Sequence, residues 1–574
     1  MITPSSWIQK WQVYWRSEAG PGEVLGLALP LVLSTSSLTL QVFIDRLFLA
    51  WYSADAIAAA IPAVCMLWLL VAPLWAIVGF AQTFVAQYHG AGQNDRVGPV
   101  IVQAVLIAAA CGVAMLLLAP LAGLIFDWVG HEPAVRELEV VYFQLLLATA
   151  APMLVMTAAS GFFGGLGRTW VVFWINVIAA VVNVVLDYAM IFGHWGFERQ
   201  GIVGAGWATV IAYVAGAAAA MLWMWLADED GGFGIRGPRV ATLTGNIGLS
   251  LSETKTSACP LTPTLSPADG GGGEPTNGSR SFPSVNASPS PPSAGERVGV
   301  RGARNAGSRS RHGGSFVWQP DFELIRRLLR FGGPAGMMAL TETIAFSWFV
   351  FLVGRMGTSD LAATNIAFNI NMLVFMPMIG FSTATQVLVG RRLGEERPDL
   401  AARSTWSAYW LAFAYTLALA TGYVLTPDVF ITLFAWNSTP EETAKWYSLV
   451  IGLLRFVAVY SLFDMTMLIF SGALRGAGDT RFIMLATLVV AMGALVMPSM
   501  LAYHFWTHDL YVAWCFVTAY VMALGVALFA RFQAGRWRSM RVIEPRLAEA
   551  GGQAAASVAA NDGSALEPAE GPLR

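Results

Sequence analysis

The sequence predicts an all-α, polytopic membrane protein: twelve transmembrane helices in two six-helix lobes related by a pseudo-two-fold axis along the membrane normal. Three observations carry that expectation. Apolar runs of about 20 residues, the length that crosses a hydrocarbon core, recur along nearly the whole chain. Of its 574 residues, 56% are hydrophobic and only 12% charged, about half the charge of an ordinary soluble domain. The two halves also repeat each other, polar turn residues included, which apolar composition alone does not produce.

Taken in order, residues 1–23 form an N-terminal interfacial segment. Trp7, Trp11 and Trp15 fall at i, i+4 and i+8, one stripe of a helix lying on the membrane surface. This polar, aromatic start lacks the apolar core of a cleavable signal peptide. The first lobe, 24–227, holds spans near 24–50, 56–88, 98–126, 139–163, 169–193 and 203–227. Residues 228–318 are rich in Ser, Pro, Gly and Arg. That composition cannot bury enough surface to fold, so a disordered cytoplasmic linker is expected. Within it, LTPTLSPA (261–268) and AGERVGVR (294–301) can be encoded by complementary DNA strands. An inverted repeat inserted into the gene and translated as a passive spacer explains the pair; codons that break the complementarity would exclude it. The second lobe, 319–541, holds spans near 324–354, 361–390, 402–425, 446–472, 481–505 and 510–533, and a disordered tail follows over 542–574.

Twelve spans put both termini on one side. Lys10, Arg16, Arg96, Arg168, Arg391, Arg392, Arg397, Arg475, Arg481, Arg531, Arg536 and Arg538 all fall there, against Arg136, Arg199, Arg355 and Lys445 opposite. The positive-inside rule makes the terminal side cytoplasmic, in a bacterial-type inner membrane. The repeat places Pro30 on Pro334, Gly90 on Gly394 and Asp95 on Asp399. It also aligns GFFGGLGRT (161–169) with GALRGAGDT (472–480). A unit of six spans repeats in the same orientation, which gives the axis its direction. In LRGAGDT, Gly476 and Gly478 are expected to make a tight turn, with Arg475 and Arg481 marking the membrane surface.

Several function classes are excluded. No GxxxxGK[ST] phosphate loop occurs, so ATP-driven pumping by this chain is not expected. No nucleophile elbow or HExxH points to an enzyme. Four cysteines lie far apart and six histidines show no ligand spacing, so neither disulfides nor zinc are indicated.

What remains is a small set of acids deep in the spans. A carboxylate at the centre of a spanning helix costs about 2.5–3.5 kcal/mol, so it faces a bundle interior and has a task. Asp464 is mid-span, with Tyr460 four residues before it on the same helix face. Glu342, in LTETIAFSW on the seventh span, is its expected partner. In the first lobe Asn183 and Asp187 repeat the i, i+4 spacing on the fifth span, Asp45 lies on the first, and Thr209 on the sixth adds a hydroxyl. Hard cations such as Na⁺ prefer such oxygens, and carboxyls removed from water also carry protons; both ions stay open. Across the repeat Glu342 corresponds to Leu38 and Asp464 to Met153, so the lobes have specialised separately.

These residues resemble the multidrug and toxic compound extrusion (MATE) family. The likeness rests on FIDRLFLAWYSADAIAAAI, FVAQYHGAGQND, NVVLDYAMIFG, ETIAF, LVGRRLGEE and FDMTMLIFSGALRGAGDT, and covers about 24–227 and 322–535. It implies two six-helix lobes around a central cavity and export of organic, often cationic compounds, coupled to Na⁺ or H⁺ influx by alternating access. It also implies small-molecule substrates and membrane lipid as partners, no nucleic acid, and a monomer that works alone. The sodium-coupled branch uses Glu, Tyr and Asp where this chain has Glu342, Tyr460 and Asp464. Another branch uses the positions of Asp45, Asn183, Asp187 and, more weakly, Thr209. This chain carries both sets, and its linker is far longer than the family's. The competing expectation is a flippase for lipid-linked glycans, which needs a basic cavity; Arg455 is its main mid-span candidate.

Overall fold

The computed structural model describes residues 13–129, 132–231, 233, 319–435, 440–506 and 508–544. One compact unit, 1–237 with 316–574, holds the membrane helices. The other, 238–315, lies wholly outside the described residues. So do most of the expected linker, nearly all of the tail, and Trp7 and Trp11 of the interfacial stripe.

Twelve helices among the described residues are long and apolar enough to cross a membrane. In the first lobe they are α1 (Pro21–Tyr52), α2 (Ala54–Gly90), α3 (Asn94–Asp127), α4 (Pro133–Gly165), α5 (Thr169–Phe192) and α6 (Ile202–Ala227). In the second they are α7 (Phe322–Met356), α8 (Thr358–Gly394), α9 (Pro398–Leu425), α10 (Tyr447–Ala477), α11 (Thr480–Phe505) and α12 (Leu510–Gln533). Their ends follow local chemistry. Ser53 alone separates α1 from α2, its hydroxyl accepting from the Ala56 N–H at 3.0 Å. The Asp321 carboxylate caps α7 through the Glu323 and Leu324 N–H groups, each such cap contributing about 1 kcal/mol. At the end of α5 the chain turns at Gly193 with φ +79°, which a side chain resists. In α11 a π-helical turn over Ala491–Val496 precedes Pro498, a residue without an N–H to give the regular ladder.

The packing is two-fold. In the first lobe α4 packs on α2, α3 and α6, and α5 on α1 and α6. In the second α10 packs on α8, α9 and α12, and α11 on α7 and α12. The lobes join where α1 lies on α8 and α2 on α7, the two contacts that a two-fold rotation exchanges. The same operation acts on single residues. Gly90 seats directly on the Arg391 carbonyl, and its counterpart Gly394 on the carbonyl of Gln87. A Cβ on Gly380 would meet the Val32 N at 2.8 Å, and one on Gly336 the Pro73 O at 2.7 Å. Backbone cannot yield as a flexible side chain does, so overpacking here costs at least the usual ~1–3 kcal/mol. Gly394→Leu is therefore expected to lower the melting temperature of the purified protein by several degrees; an unchanged melting curve would contradict this close seating.

Polar groups reinforce the seam. Gln386 Nε2 donates to Thr83 Oγ1 at 2.8 Å, and Gln87 Nε2 to the Gly476 carbonyl at 2.9 Å. The buried Arg392 guanidinium donates to Glu18 and Glu23 at 2.8 Å each, and Arg397 also clasps Glu18 at 2.7 Å. The Arg397 and Arg392 guanidiniums hold the Glu18 carboxyl below its usual value. Because the folded value is lowered, the clasp is intact at neutral pH and is lost only as pH falls through that lowered value. The Val542 N–H donates to Gln87 Oε1 at 2.8 Å, bringing the end of the described chain to the same face. From this terminal face the inter-lobe hydrogen bonds among the described residues reach Thr35 Oγ1, which donates to the Met376 carbonyl at 3.2 Å midway along α1 and α8. None lies beyond.

Two local expectations need correction. Gly476 makes no turn: α10 continues through Ala477, and Gly476 is where the Gln386 carbonyl approaches closely, 2.5 Å from an added Cβ. The turn is made by Gly478 alone, with φ +92°. Arg475 does not mark the surface. Its Nη2 donates to Ser382 Oγ at 3.1 Å, and its Nε is buried without a partner.

Candidate cation sites

Each lobe gathers its acids on facing helices. In the first lobe α5 carries Asn183 and Asp187 one turn apart, both buried. The helix packs between α1 and α6, so this face meets Asp45 from one side and Thr209 from the other. Asn183 Nδ2 donates to Thr209 Oγ1 at 3.4 Å, and that hydroxyl donates onward to the Ala205 carbonyl at 2.9 Å. With its amide nitrogen so engaged, the Asn183 carbonyl oxygen is buried without a donor. Asp45 Oδ1 and both Asp187 carboxyl oxygens are also buried without hydrogen-bond partners. Asp45 and Asp187 lie close enough for their charges to interact. All four residues named from the sequence thus come together.

Such a set is costly as it stands. Leaving one buried acceptor unsatisfied costs about 1–3 kcal/mol, more when it is charged. Two carboxylates sharing a pocket also repel, and a small cation or a proton between them removes the repulsion. Among the described residues no three His, Cys, Asp or Glu side chains are grouped for a metal ion. The oxygens here are carboxylate, amide and hydroxyl, the ligands a hard monovalent ion takes.

Two members escaped the sequence reading. The Tyr142 hydroxyl, on α4, hydrogen-bonds to Asp45 and lies in the field of Asp187. Gln41 precedes Asp45 by one turn on α1, and its buried Oε1 has no partner. A lone Tyr in VVYFQLLLATAAPM reads as packing, and only the fold brings it to the acid. Gln41 could have been found: it shares the i, i+4 spacing with Asp45 that singled out Asn183 and Asp187.

In the second lobe α10 carries Tyr460 and Asp464, both buried, and Glu342 comes from α7. Glu342 is close enough to Asp464 for their charges to interact, and Asp464 to Tyr460. The three expected residues are again together. Unexpectedly, Arg475 lies about three turns along α10 from Asp464, on nearly the same face, and its charge also meets Glu342. Tyr520 on α12 stands beside both acids. Arg455, by contrast, points outward and is exposed. The acids here have Arg475 as a countercharge, whereas in the first lobe Asp45 feels its exposed chain neighbour Arg46.

The chain matches the MatE family profile over residues 30–189 and 334–500, more than half of its length and one stretch in each lobe. It is 26% identical over 490 residues to a probable multidrug resistance protein NorM of Xylella fastidiosa, covering 84% of each chain. It is 25% identical over 488 residues to the multidrug resistance protein MdtK of Klebsiella pneumoniae, covering 83% of this chain and 86% of that one. Among solved structures, an outward-facing multidrug resistance MATE family transporter aligns with TM-score 0.69 at 19% identity, over 92% of this chain and 97% of the other. A transporter of the MOP superfamily from Pyrococcus furiosus aligns with the same TM-score at 18% identity, over 92% and 98%.

Proposed function

The chain belongs to the MatE family, and from that premise we propose that it is a multidrug efflux transporter: an antiporter that exports organic, mainly cationic compounds against an inward flow of Na⁺ or H⁺. The observation that carries the coupling is the first-lobe set of buried acceptors, Asp45 Oδ1, Asn183 Oδ1 and both Asp187 oxygens, which lack donors. A binding ion relieves their desolvation and mutual repulsion, so its free energy is spent on the state in which these oxygens converge. A ligand shifts a conformational equilibrium only by its differential affinity for the two states. Export follows if ion and substrate favour opposite states.

In this proposal residues 24–227 and 319–541 are the two lobes, joined by a cytoplasmic linker over 228–318, and both termini are cytoplasmic. The seam of Gly90, Gly394, Gln87 and the Glu18–Arg392 clasp then closes the cytoplasmic side, and the cavity opens outward beyond Thr35 and Met376. Inward opening requires the clasp to break and the paired glycines to separate. The chain acts as a monomer in a bacterial inner membrane. A flippase for lipid-linked glycans fits less well, since Arg455 faces outward and the four acids Asp45, Asp187, Glu342 and Asp464 stand against Arg475 and the exposed Arg46.

Reconstituted protein given a Na⁺ gradient and a pH gradient in separate experiments decides the coupling ion. Uptake of a cationic dye against its gradient is expected with at least one of them. Equal movement with neither gradient imposed would overturn the antiport reading.

A further inference from the structure

On the terminal face, beside the entry to α7, lies a groove of about 840 Å³. Four arginines line it, Arg326, Arg327, Arg330 and Arg481, against two carboxylates, Glu323 and Glu544. The chain itself places an anion there: the Glu544 carboxylate pairs with Arg327 and reaches Arg96 at 3.5 Å. That leaves Arg326, Arg330 and Arg481 exposed, with no carboxylate in ion-pair range among the described residues. Arg326 and Arg330 are one turn apart on α7, and Arg481 opens α11, which packs on α7. Three guanidiniums therefore line one groove without an ion-paired carboxylate among the described residues.

The apolar part of the groove lining is Phe331, Val542 and Ile543. The same end of α7 exposes Phe322 at 77% and Leu329 at 44%. These are the opening turns of a membrane-crossing helix, the depth at which headgroups meet acyl chains. A free anion needs the arginines but gains nothing from the apolar surface. An amphiphile uses both. We propose that this groove binds an anionic phospholipid, its headgroup phosphate held by Arg326, Arg330 and Arg481 and its upper acyl segments lying against Phe322 and Leu329. Basic residues at a membrane surface attract anionic lipid, and the guanidinium fork matches phosphate oxygens in pairs. The site is separate from the buried acids and does not depend on the coupling ion.

Native mass spectrometry of the intact chain in detergent tests this, with phosphatidylglycerol, phosphatidylcholine of the same acyl chains, and inorganic phosphate as probes. Phosphatidylglycerol is expected to bind at least tenfold more tightly than phosphatidylcholine. The triple variant Arg326→Gln/Arg330→Gln/Arg481→Gln should lose that preference, weakening phosphatidylglycerol by about fivefold per arginine and on the order of a hundredfold in all. The corresponding triple Lys variant should retain most of it. Should the triple Gln protein fail to give a monodisperse peak, Arg330→Gln alone is expected to show the single fivefold loss. Equal binding of the two lipids, or an unchanged preference in the Gln variants, overturns the proposal. Full displacement of phosphatidylglycerol by an equal concentration of inorganic phosphate overturns the assignment to lipid.

Discussion

Asp187→Asn is expected to abolish export while leaving the protein as stable as before, or more so. Both Asp187 carboxyl oxygens are buried without a hydrogen-bond donor, and Asp45 stands beside them. A buried charge of this kind costs several kcal/mol unless paired. The amide keeps the shape, removes the charge and ends the repulsion with Asp45, so the melting temperature stays level or rises by a few degrees. Ion affinity moves the other way. Losing one charge-assisted contact of about 1.5–3 kcal/mol weakens binding by one to two orders of magnitude. Dye export from vesicles and a thermal melt of the same preparation check both arms. Full export by the variant, or a collapse in stability that explains its inactivity, would count against the site. Groups kept for function at a cost in stability show this divergence.

Asp464→Asn and Glu342→Gln are each expected to abolish export with expression and membrane insertion intact, yet they differ in stability. The Arg475 guanidinium faces Glu342 and has its Nε buried without a partner. Neutralising Glu342 strips that cation of its nearest acid, so Glu342→Gln should lower stability by about 1–3 kcal/mol. Asp464→Asn leaves the Glu342–Arg475 relation in place and should not. If the two acids act as a unit, the double variant transports no worse than either single one. Wild-type export by Asp464→Asn would remove the second-lobe site.

The parts read from the sequence are those in which a local pattern reports a local fact. Apolar runs placed all twelve spans, and the shared offset of Pro30 with Pro334 and Gly90 with Gly394 placed the two-fold axis. Side chains four apart share a helix face in any context, which is why Asn183 with Asp187 and Tyr460 with Asp464 were legible. What stayed hidden was tertiary. Tyr142 reaches Asp45 only because α4 packs on α5, the helix that also meets α1, and nothing in its own span distinguishes it from a packing aromatic. Arg475 was misread for a related reason: next to a Gly-rich turn an arginine ordinarily snorkels to water, whereas here the lobe provides Glu342 and Ser382 inside. Gly476 follows the same logic, since a small residue before a turn signals either conformational freedom or a close neighbour. Here the neighbour is the Gln386 carbonyl on α8.

Direct ion binding to the purified chain tests the central claim most closely, with radioactive sodium and a pH-indicating dye reading the two candidate ions in parallel. Wild-type protein is expected to bind at least one of them and to release it when a transported cation is added. Asp187→Asn and Asp464→Asn should each remove part of that release, and the double variant all of it. Undiminished binding and release in the double variant would show that these buried oxygens are not where the ion is held.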